Sequence, residues 1–374
     1  MAADILILAG ARTPFATWSS GTTGKGTPGG ALKDLDPFDL GASALKAALG
    51  RADVPIDTLG FLSFGNMYQA GPQACYGARY VALRAGGPPE LTGPAVGLAC
   101  GTGLLALAVA ADSVARGEAA LAAAVGADAP SRLRRDVFVP SFTDLSCGKH
   151  IAKTAEERAA ERGVGRAAMD DWARRSHLKA RESARLRSEE ISPLAGLGDD
   201  DAPLEDPAPE RFADAKPLFE EGLRAVTHAN VHAVVDGGAA LILAAPKAAK
   251  GRALGRLVST ATAGVASERM AYAALPAIAK ALESARWRVA DVDIWELNET
   301  FAAQVLLDRA ELGVRAERVN PRGGAIALGH PFGATGLRLV HTLLLELRRI
   351  GKRRGVAAIS AGGGVGIAAC VEAI

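Results

Sequence analysis

The stretch Val96-Gly97-Leu98-Ala99-Cys100-Gly101-Thr102-Gly103-Leu104-Leu105 decides the fold of this chain, because it places a cysteine between a strand and a helix. Thr92 to Val96 predicts a short strand that ends in a turn, and Leu104 to Arg116, apolar and rich in alanine and leucine, predicts a buried helix. The unpaired N–H groups at the start of a helix favour a thiolate, so we expect a lowered pKa for Cys100. This stretch alone leaves open the alternative of a buried structural cysteine.

Composition limits the kind of protein that this chain forms. With 374 residues, 49% of them hydrophobic, it is long enough for two or three domains around a large core. A formal net charge of +2 and an aromatic content of 5%, without a recognisable binding motif, indicate no nucleic-acid partner. Four cysteines are too sparse for a disulfide framework and indicate a reducing compartment. No Cys-x-x-Cys or His-Glu-x-x-His spacing supports a metal site.

Targeting and membrane signals are also missing from the sequence. Met1 to Leu8 lacks the basic start and the long apolar core of a signal peptide. The apolar run Leu104 to Ala111 ends at Asp112, well short of a membrane span. We therefore expect a cytoplasmic protein without a membrane partner.

An internal repeat organises the chain. A strand that follows a helix ends at Asn66 and again at Asn298, and a glycine-rich turn opens a long helix at Gly103 and again at Gly336. The spacing between the two asparagines is almost the same as the spacing between the two glycines. The repeat predicts an α/β fold of two similar halves, each alternating strands with helices around a buried sheet.

The first half carries an insertion between its last two strands. That link runs from about Asp128 to Val235, whereas Ser360-Ala361-Gly362 is enough in the second half. The inserted sequence predicts a helix from Thr154 to Glu161, another from Arg166 to Glu190, and a solvated acidic loop from Asp199 to Glu210. Because α/β folds bind ligands at strand ends, we interpret the insertion as a lid over the cysteine; a surface excursion without function is the alternative.

These boundaries divide the chain into three parts. The first half comprises residues 1–127 and 234–254, the inserted segment residues 128–233, and the second half residues 255–374.

The second half supplies further candidates for chemistry. His330 lies in a glycine-rich run and occupies nearly the same turn as Cys100 does in the first half. If the halves pack about a pseudo-twofold axis, the two turns converge on the Cys–His pair that thiol catalysis requires. Asn298, at a strand end, can orient an oxyanion-stabilising water, while its neighbour Glu299 is equally compatible with a structural cap. The run from Ser360 to Gly364 can turn backbone N–H groups toward an oxyanion.

The residues resemble the thiolases, a family of acyl-CoA C-acyltransferases, from Arg12-Thr13-Pro14-Phe15 to the C-terminus. The matching blocks are Gly65-Asn66, Cys100-Gly101-Thr102-Gly103, Thr154-Ala155-Glu156, Arg175-Ser176-His177, Asn230 with Asp236-Gly237, Asn298-Glu299-Thr300-Phe301-Ala302, and Gly323 through Gly336. The last block is the most specific. The resemblance implies a layered α/β fold of two βαβαβαββ halves, with an inserted loop domain that binds CoA.

The resemblance also implies a ping-pong reaction. Cys100 would take an acyl group from an acyl-CoA, and His330 would activate its thiol. Asn298, through water, and His330 would stabilise one oxyanion, and the backbone N–H groups of Cys100 and Gly362 the other. The positions expected to contact CoA are His150, Asn230, His232 and Met270. We expect no cofactor besides the CoA esters, no metal, and a homodimer or homotetramer.

Two departures from the family pattern concern the movement of the substrate's α-proton. Ser360 stands where the family has its second catalytic cysteine, and a serine alkoxide is a poor base near neutral pH. Cys370 lies inside the predicted final strand and cannot replace that thiol. His232 stands where a serine usually contacts pantetheine, so it is our candidate for the missing base; packing against the insertion is its alternative.

Three functions follow from this pattern. The first is a thiolase-type acyltransferase, which cleaves a 3-oxoacyl-CoA or condenses two acyl-CoA molecules. The second is a thioesterase or decarboxylating enzyme, which needs the acyl-cysteine but no second thiol. The third is a non-catalytic CoA-binding subunit.

Overall fold

A computed structural model describes residues 4–18, 29–69 and 73–374. Its described residues form one sheet of ten strands. The strands are β1 Ile5–Arg12, β2 Ala16–Thr17, β3 Phe61–Gly65, β4 Ala95–Val96, β5 Leu121–Asp128, β6 Val235–Ala244, β7 Gly255–Gly264, β8 Ile294–Leu297, β9 Arg354–Ala361 and β10 Val365–Ala373.

Thirteen α-helices fall within the described ranges, and none of them is long and apolar enough to cross a membrane. They are α1 Pro37–Ala52, α2 Gly77–Arg84, α3 Thr102–Ala115, α4 Arg135–Phe138, α5 Ile151–Glu161, α6 Arg166–Glu182, α7 Ala184–Arg187, α8 Pro209–Ala213, α9 Pro246–Ala249, α10 Ala274–Ala285, α11 Ala302–Leu312, α12 Ala325–Leu328 and α13 Phe332–Arg349.

The sheet is built from two halves with the same strand order. The order across the sheet is β4-β3-β5-β6-β1-β7-β10-β9-β8, so the two halves mirror each other about the antiparallel pair β1–β7. Each half combines a parallel pair, β3–β5 or β8–β9, with an antiparallel pair, β5–β6 or β9–β10. The parallel pair β3–β4 of the first half is reduced in the second to one parallel bridge between Trp295 and Val319. The predicted repeat is therefore confirmed.

Helices cover the sheet in layers because its strands are apolar on both faces. Ala122 and Ala124 of β5 face a central core that also contains α3 and α13, whereas Ala123 and Val125 face the outer core with α1. In the second half, Ile359 faces the central core, and the neighbouring Ala358 faces an outer core with α10 and α11. The layered α/β class expected from the sequence is confirmed.

The segment between β5 and β6 contains α4 to α8 and corrects two local predictions. The helix predicted from Arg166 to Glu190 ends at Glu182, because the chain then turns inward and Glu190 pairs with Arg12 at 3.2 Å. The acidic stretch predicted as solvated has a buried side chain near its start, since both carboxylate oxygens of Asp200 accept from the Arg12 guanidinium, at 2.6 and 2.8 Å.

A buried ion network fastens this segment to both halves. Glu190 also binds Arg322 of the second half at 3.3 Å, and Arg322 in turn donates to Glu346 at 2.9 Å. The term "ion network" below means these five residues: Arg12, Glu190, Asp200, Arg322 and Glu346.

Candidate active site

The turn before α3 holds Cys100 in a buried position. Ala99 has a positive φ of 46°, and the Thr102 hydroxyl spans the turn: it accepts from the Leu98 N–H and donates to the Ala99 carbonyl, both at 2.7 Å. Cys100 is 3% exposed. These local bonds direct the sulfur into the protein immediately before the first turn of the helix.

The predicted lowering of the Cys100 pKa is wrong. Burial raises the pKa of the thiol to about 12, although the backbone N–H groups of Gly362 and of Cys100 itself face the sulfur and oppose this rise. Removing a thiolate from water costs more than the helix terminus and the two N–H groups return. The resting group is therefore a neutral thiol.

The turn before α13 holds His330 in one tautomer. Its Nδ1 lies 2.6 Å from the Thr335 hydroxyl, and that hydroxyl donates to the Pro331 carbonyl at 2.9 Å. Thr335 must therefore accept the proton of Nδ1, which leaves Nε2 as an acceptor. Nε2 receives the side-chain N–H of Asn298 at 3.2 Å. Burial, followed by the charge of Arg338, lowers the pKa of His330, so the ring is neutral.

The two turns approach each other where α3 crosses α13. A Cβ atom on Gly103 would lie 2.5 Å from the Gly333 carbonyl oxygen and 2.9 Å from the Gly336 nitrogen. A side chain there would separate the helices, so the glycines allow their backbones to touch. This crossing places the starts of both helices, and with them Cys100 and His330, on one side of the central layer.

Asn298 is buried beside His330. Its amide nitrogen, which donates to His330 Nε2, also donates to the Thr300 hydroxyl at 3.0 Å. Its Oδ1 is buried and has no hydrogen-bond partner among the described residues. The term "reaction cluster" below means Cys100, His232, Asn298 and His330.

His232 adds a second imidazole to this cluster. Its ring centroid lies 5.0 Å from that of His330, at an interplanar angle of 83°. Phe332 contacts both rings, with centroids 5.8 Å from His232 and 4.7 Å from His330. A bridge between Val231 and Phe301 fixes the His232 segment beside the end of β8.

Ser360 lies in β9, where it pairs with Gly366 of β10, and only Gly362 of the predicted link lies in the turn between the two strands. The Ser360 hydroxyl is buried and accepts the backbone N–H of Ala274, the first residue of α10, at 2.9 Å. Gly362 is the residue whose N–H faces the Cys100 sulfur. The two positions therefore have different surroundings: Ser360 contacts the start of α10, and Gly362 contacts the Cys100 sulfur.

The remaining predicted CoA contacts differ from one another in location. His150 is half-buried at the start of α5, with its ring between Phe142 at 5.9 Å and Phe219 at 5.3 Å. Met270 is fully buried in the outer core of the second half.

Asn230 differs from His150, because its side chain is engaged inside the protein. Its Oδ1 accepts from the Thr227 N–H at 2.8 Å, and its Nδ2 donates to Asp170 at 2.9 Å and to the Ala225 carbonyl at 3.0 Å. These bonds hold the loop that leads to His232.

Glu299 adopts the structural role that the sequence left open. Its carboxylate accepts from Trp172 at 3.1 Å and Ser176 at 2.6 Å, both on α6, and from Asn320 at 2.9 Å. It therefore fastens the inserted segment beside Asn298.

Sequence reasoning missed Asp128 and Thr335. Asp128 is buried at the end of β5, accepts from Asn66 at 2.7 Å and from the Gly333 N–H at 2.6 Å, and so connects the first half to the start of α13. Burial raises its pKa to about 7. A polar residue at the end of an apolar strand, and a hydroxyl five positions after a histidine, are the signals that indicate them.

Among the residues that the structure describes, no group of three or more His, Cys, Asp or Glu side chains is arranged to hold a metal ion.

Comparison with known proteins gives one consistent family. Residues 5–135 and 127–247 match the model of the thiolase N-terminal domain, and residues 251–373 match that of the thiolase C-terminal domain. The acetyl-CoA acetyltransferase of Shinella zoogloeoides is 34% identical over 97% of this chain and 100% of its own length. The cytosolic acetyl-CoA acetyltransferase of Mus musculus is 34% identical over 96% of this chain and 98% of its own length.

A solved structure agrees with these sequence relatives. The human mitochondrial 3-ketoacyl-CoA thiolase in complex with CoA superposes with a TM-score of 0.92 and 30% identity, covering 100% of this chain and 98% of that chain. Both family domains, the relatives along the full length and the matching architecture lead to one conclusion. The chain belongs to the thiolase family of acyl-CoA C-acyltransferases.

Proposed function

We propose that this protein transfers acyl groups by a ping-pong reaction through an acyl-Cys100 intermediate. The observation that carries the proposal is the convergence of two buried neutral groups, the Cys100 thiol and the His330 imidazole, at the crossing of α3 and α13. A neutral thiol needs a base, and the unprotonated Nε2 of His330 has a lone pair that can take the thiol proton once it releases the Asn298 N–H that it accepts at rest. The pair avoids the cost of a buried ion pair until substrate is bound.

The first half-reaction follows from these protonation states. Nε2 of His330 takes the thiol proton, and the sulfur electron pair forms a bond to the thioester carbon. The CoA sulfur then leaves with its bonding pair and receives the proton from His330. The products are free CoA and a neutral acyl-Cys100.

The second half-reaction transfers the acyl group to carbon or to sulfur. In condensation, the α-carbon of a second acyl-CoA attacks the acyl-Cys100 carbonyl. In the reverse direction, cleavage of a 3-oxoacyl-CoA leaves the acyl group on Cys100, and CoA then removes it. Both directions pass through tetrahedral oxyanions that need N–H donors.

Two sets of donors support such oxyanions. The backbone N–H groups of Cys100 and Gly362 face the nucleophile's sulfur, so they are placed for an oxyanion on the carbon that it attacks. The unpaired Oδ1 of Asn298 is an acceptor that can orient a water between Asn298 and His330, as the family pattern implies.

We further propose that residues 128–233 form the CoA-binding lid. A row of rings supports a path toward the nucleophile: Phe142 lies 5.9 Å from His150 and 6.4 Å from His232, which lies 5.0 Å from His330. Aromatic walls suit the narrow pantetheine arm of CoA. In this proposal His150 and His232 line the arm, whereas Asn230 and Met270 support the wall. CoA esters are the only small molecules that the reaction needs.

We also propose that the protein forms a homo-oligomer and is located in the cytoplasm. Val139 is 56% exposed and Leu145 is 100% exposed, both on one stretch of the inserted segment, and exposed apolar side chains of this kind favour a contact with a second copy. The location rests on the sparse cysteines of the sequence.

The test is a single incubation with acetyl-CoA, read by intact-protein mass and peptide mapping. We expect one acetyl group, on Cys100, and a loss of acylation of at least about 10³-fold in Cys100→Ala. Cys147→Ala is the matched control, because Cys147 is half-buried and lies apart from the turn before α3. A label on Cys75, Cys147 or Cys370 would overturn the proposal.

A second measurement separates the thiolase reaction from hydrolysis. Acetoacetyl-CoA should be cleaved only when CoA is added, and acyl-Cys100 should persist in water. Acylation followed by hydrolysis, without exchange of a C–C bond, would favour the thioesterase or decarboxylating alternative. The engaged Ser360 hydroxyl is the observation that keeps this alternative in view.

A further inference from the structure

The side chain of His232 is held in one tautomer with a free lone pair. Its backbone N–H and its Nδ1 both face the Thr300 carbonyl oxygen, at 3.2 and 3.1 Å. A carbonyl oxygen only accepts, so Nδ1 carries the proton and Nε2 is unprotonated. Nε2 is buried and has no hydrogen-bond partner among the described residues.

This lone pair lies in the reaction cluster. The His232 and His330 rings are 5.0 Å apart, and Asn298, which donates to His330 at 3.2 Å, carries the other unpaired buried acceptor, Oδ1. Leaving a buried polar atom unpaired is unfavourable, so such an atom in a native protein calls for a ligand, a water or a catalytic role to explain it. Two unpaired acceptors in one cluster therefore mark it as a place where a substrate or a water binds.

The group at the family's usual proton-carrying position is differently placed. The Ser360 hydroxyl accepts the Ala274 N–H at 2.9 Å, so a helix start occupies its oxygen. A hydroxyl held in this way is a still weaker base than a free serine. Condensation nevertheless requires that a base remove the α-proton of the second acyl-CoA.

We propose that His232 is a catalytic residue whose Nε2 takes this α-proton in condensation and returns it in cleavage. The inference rests on the proposed acyl-Cys100 function and extends it. Burial lowers the pKa of His232 to about 4, so the ring is neutral and its lone pair is available at working pH.

The step balances as follows for two acetyl-CoA molecules. The Nε2 lone pair forms an N–H bond with one methyl hydrogen, and the C–H electron pair forms the new bond to the acetyl-Cys100 carbon. The C=O π electrons of the acetyl group move onto its oxygen and form an oxyanion. When the C=O bond forms again, the bond between this carbon and the Cys100 sulfur breaks, and the sulfur keeps the electron pair. The sulfur takes up the proton from the His232 imidazolium, which gives acetoacetyl-CoA and the starting enzyme.

The test separates the proton step from acylation. Three readouts are needed: acetylation of Cys100 by mass, deuterium incorporation into the methyl group of acetyl-CoA in D₂O, and CoA-dependent cleavage of acetoacetyl-CoA. His232→Asn is the informative variant, since an Asn amide can still donate to the Thr300 carbonyl but has no Nε2. We expect deuterium exchange and cleavage to fall about 10²–10⁴-fold, at least tenfold more than acetylation falls.

Two other variants make the result specific. His341→Asn is the matched control, because His341 is also buried and neutral but lies on α13 beside β1, outside the proposed lid and the reaction cluster; exchange should be unchanged. Ser360→Ala should lose less exchange than His232→Asn. If Ser360→Ala loses more, or if His232→Asn loses acetylation and exchange equally, the proposal is overturned.

The same data distinguish a failure of the His232 proposal from a failure of the proposed acyl-Cys100 function. A parent enzyme that is acetylated on Cys100 but exchanges no deuterium contradicts the role of His232 and leaves the acyl-Cys100 intermediate intact. A parent enzyme that is not acetylated at all contradicts the proposed function itself.

Discussion

The reaction cluster and the ion network are both buried, yet the groups of the first are neutral and those of the second are ionised. In the reaction cluster, burial raises the pKa of Cys100 to about 12 and lowers that of His232 to about 4, so both groups are neutral. In the ion network, burial would raise the pKa of Glu190, but the charges of Arg12 and Arg322 outweigh it and lower that pKa. The difference lies in the partners, since only the ion network supplies opposite charges.

The same fold therefore contains buried charged groups that stabilise it and buried neutral groups at the candidate active site. Groups that meet full charges are fixed in the ionised state and tie the segments together. Groups that meet only N–H donors and rings remain neutral, which is the state from which the proposed proton transfers start.

The largest effect is expected from removing the charge at the centre of the ion network. Glu190→Gln leaves Arg12 and Arg322 facing an amide, and breaking a buried ion pair on one side costs about 3–5 kcal/mol. Denaturant unfolding should show this loss of unfolding free energy near pH 7. Glu182→Gln, in an exposed pair with Lys179, is the control and should change stability by about 1 kcal/mol or less.

The pH dependence of that loss has a defined sign. The folded-state pKa of Glu190 is lowered, so its stabilising contribution is complete above the unfolded value of about 4.3 and disappears as pH falls through the folded value. The gap between parent and Glu190→Gln should therefore narrow in acid. A gap that widens below pH 4 would contradict the charged assignment.

A smaller effect is expected from disturbing the neutral cluster. Thr335→Val removes the acceptor of the His330 Nδ1 proton, and an unpaired buried donor costs about 1–3 kcal/mol. The imidazole then loses its fixed tautomer, so acetylation of Cys100 should slow about tenfold or more, in addition to the loss of about 1–3 kcal/mol in unfolding free energy. Thr335→Ser restores the hydroxyl and should recover most of the rate; a Ser variant as slow as the Val variant would indicate packing instead.

The smallest effect is expected at Asp308. This residue is an acid like Glu190 of the ion network, but within the part of the chain that the structure describes it lacks a cationic partner, as the groups of the reaction cluster do. It is buried on α11, its only hydrogen-bond partner among the described residues is the Gln304 amide at 3.1 Å, and burial raises its pKa to about 8. Because the folded pKa exceeds the unfolded one, its contribution to stability is present below the unfolded pKa of about 3.9 and is lost as pH rises toward 8.

Asp308→Asn should accordingly stabilise the protein by about 1 kcal/mol at pH 8 and by less at pH 5, measured by thermal unfolding. Asp57→Asn, at an exposed position shortly before β3, tests whether any loss of a negative charge has the same effect. Equal gains for both variants would refute the burial argument.

The sequence by itself determined the two-half fold, the insertion and the roles expected at Cys100 and His330. These features depend on local patterns: apolar periodicity, glycine at helix starts, and a repeat of nearly constant spacing. The residues Asn298, Gly362 and His232 were also reachable, because each stands at a strand end or departs from a motif.

Only the tertiary structure decided the charge states and the hydrogen-bond partners. The sequence favours a thiolate at Cys100 from its helix start, but burial among residues far away in the chain reverses that direction. Asp200 lies in an acidic loop by composition, yet the distant Arg12 draws it into the interior. Thr335 and Thr300 fix the tautomers of His330 and His232 by contacts that no spacing rule specifies. A pKa depends on the whole surroundings of a group, and only the folded chain assembles those surroundings.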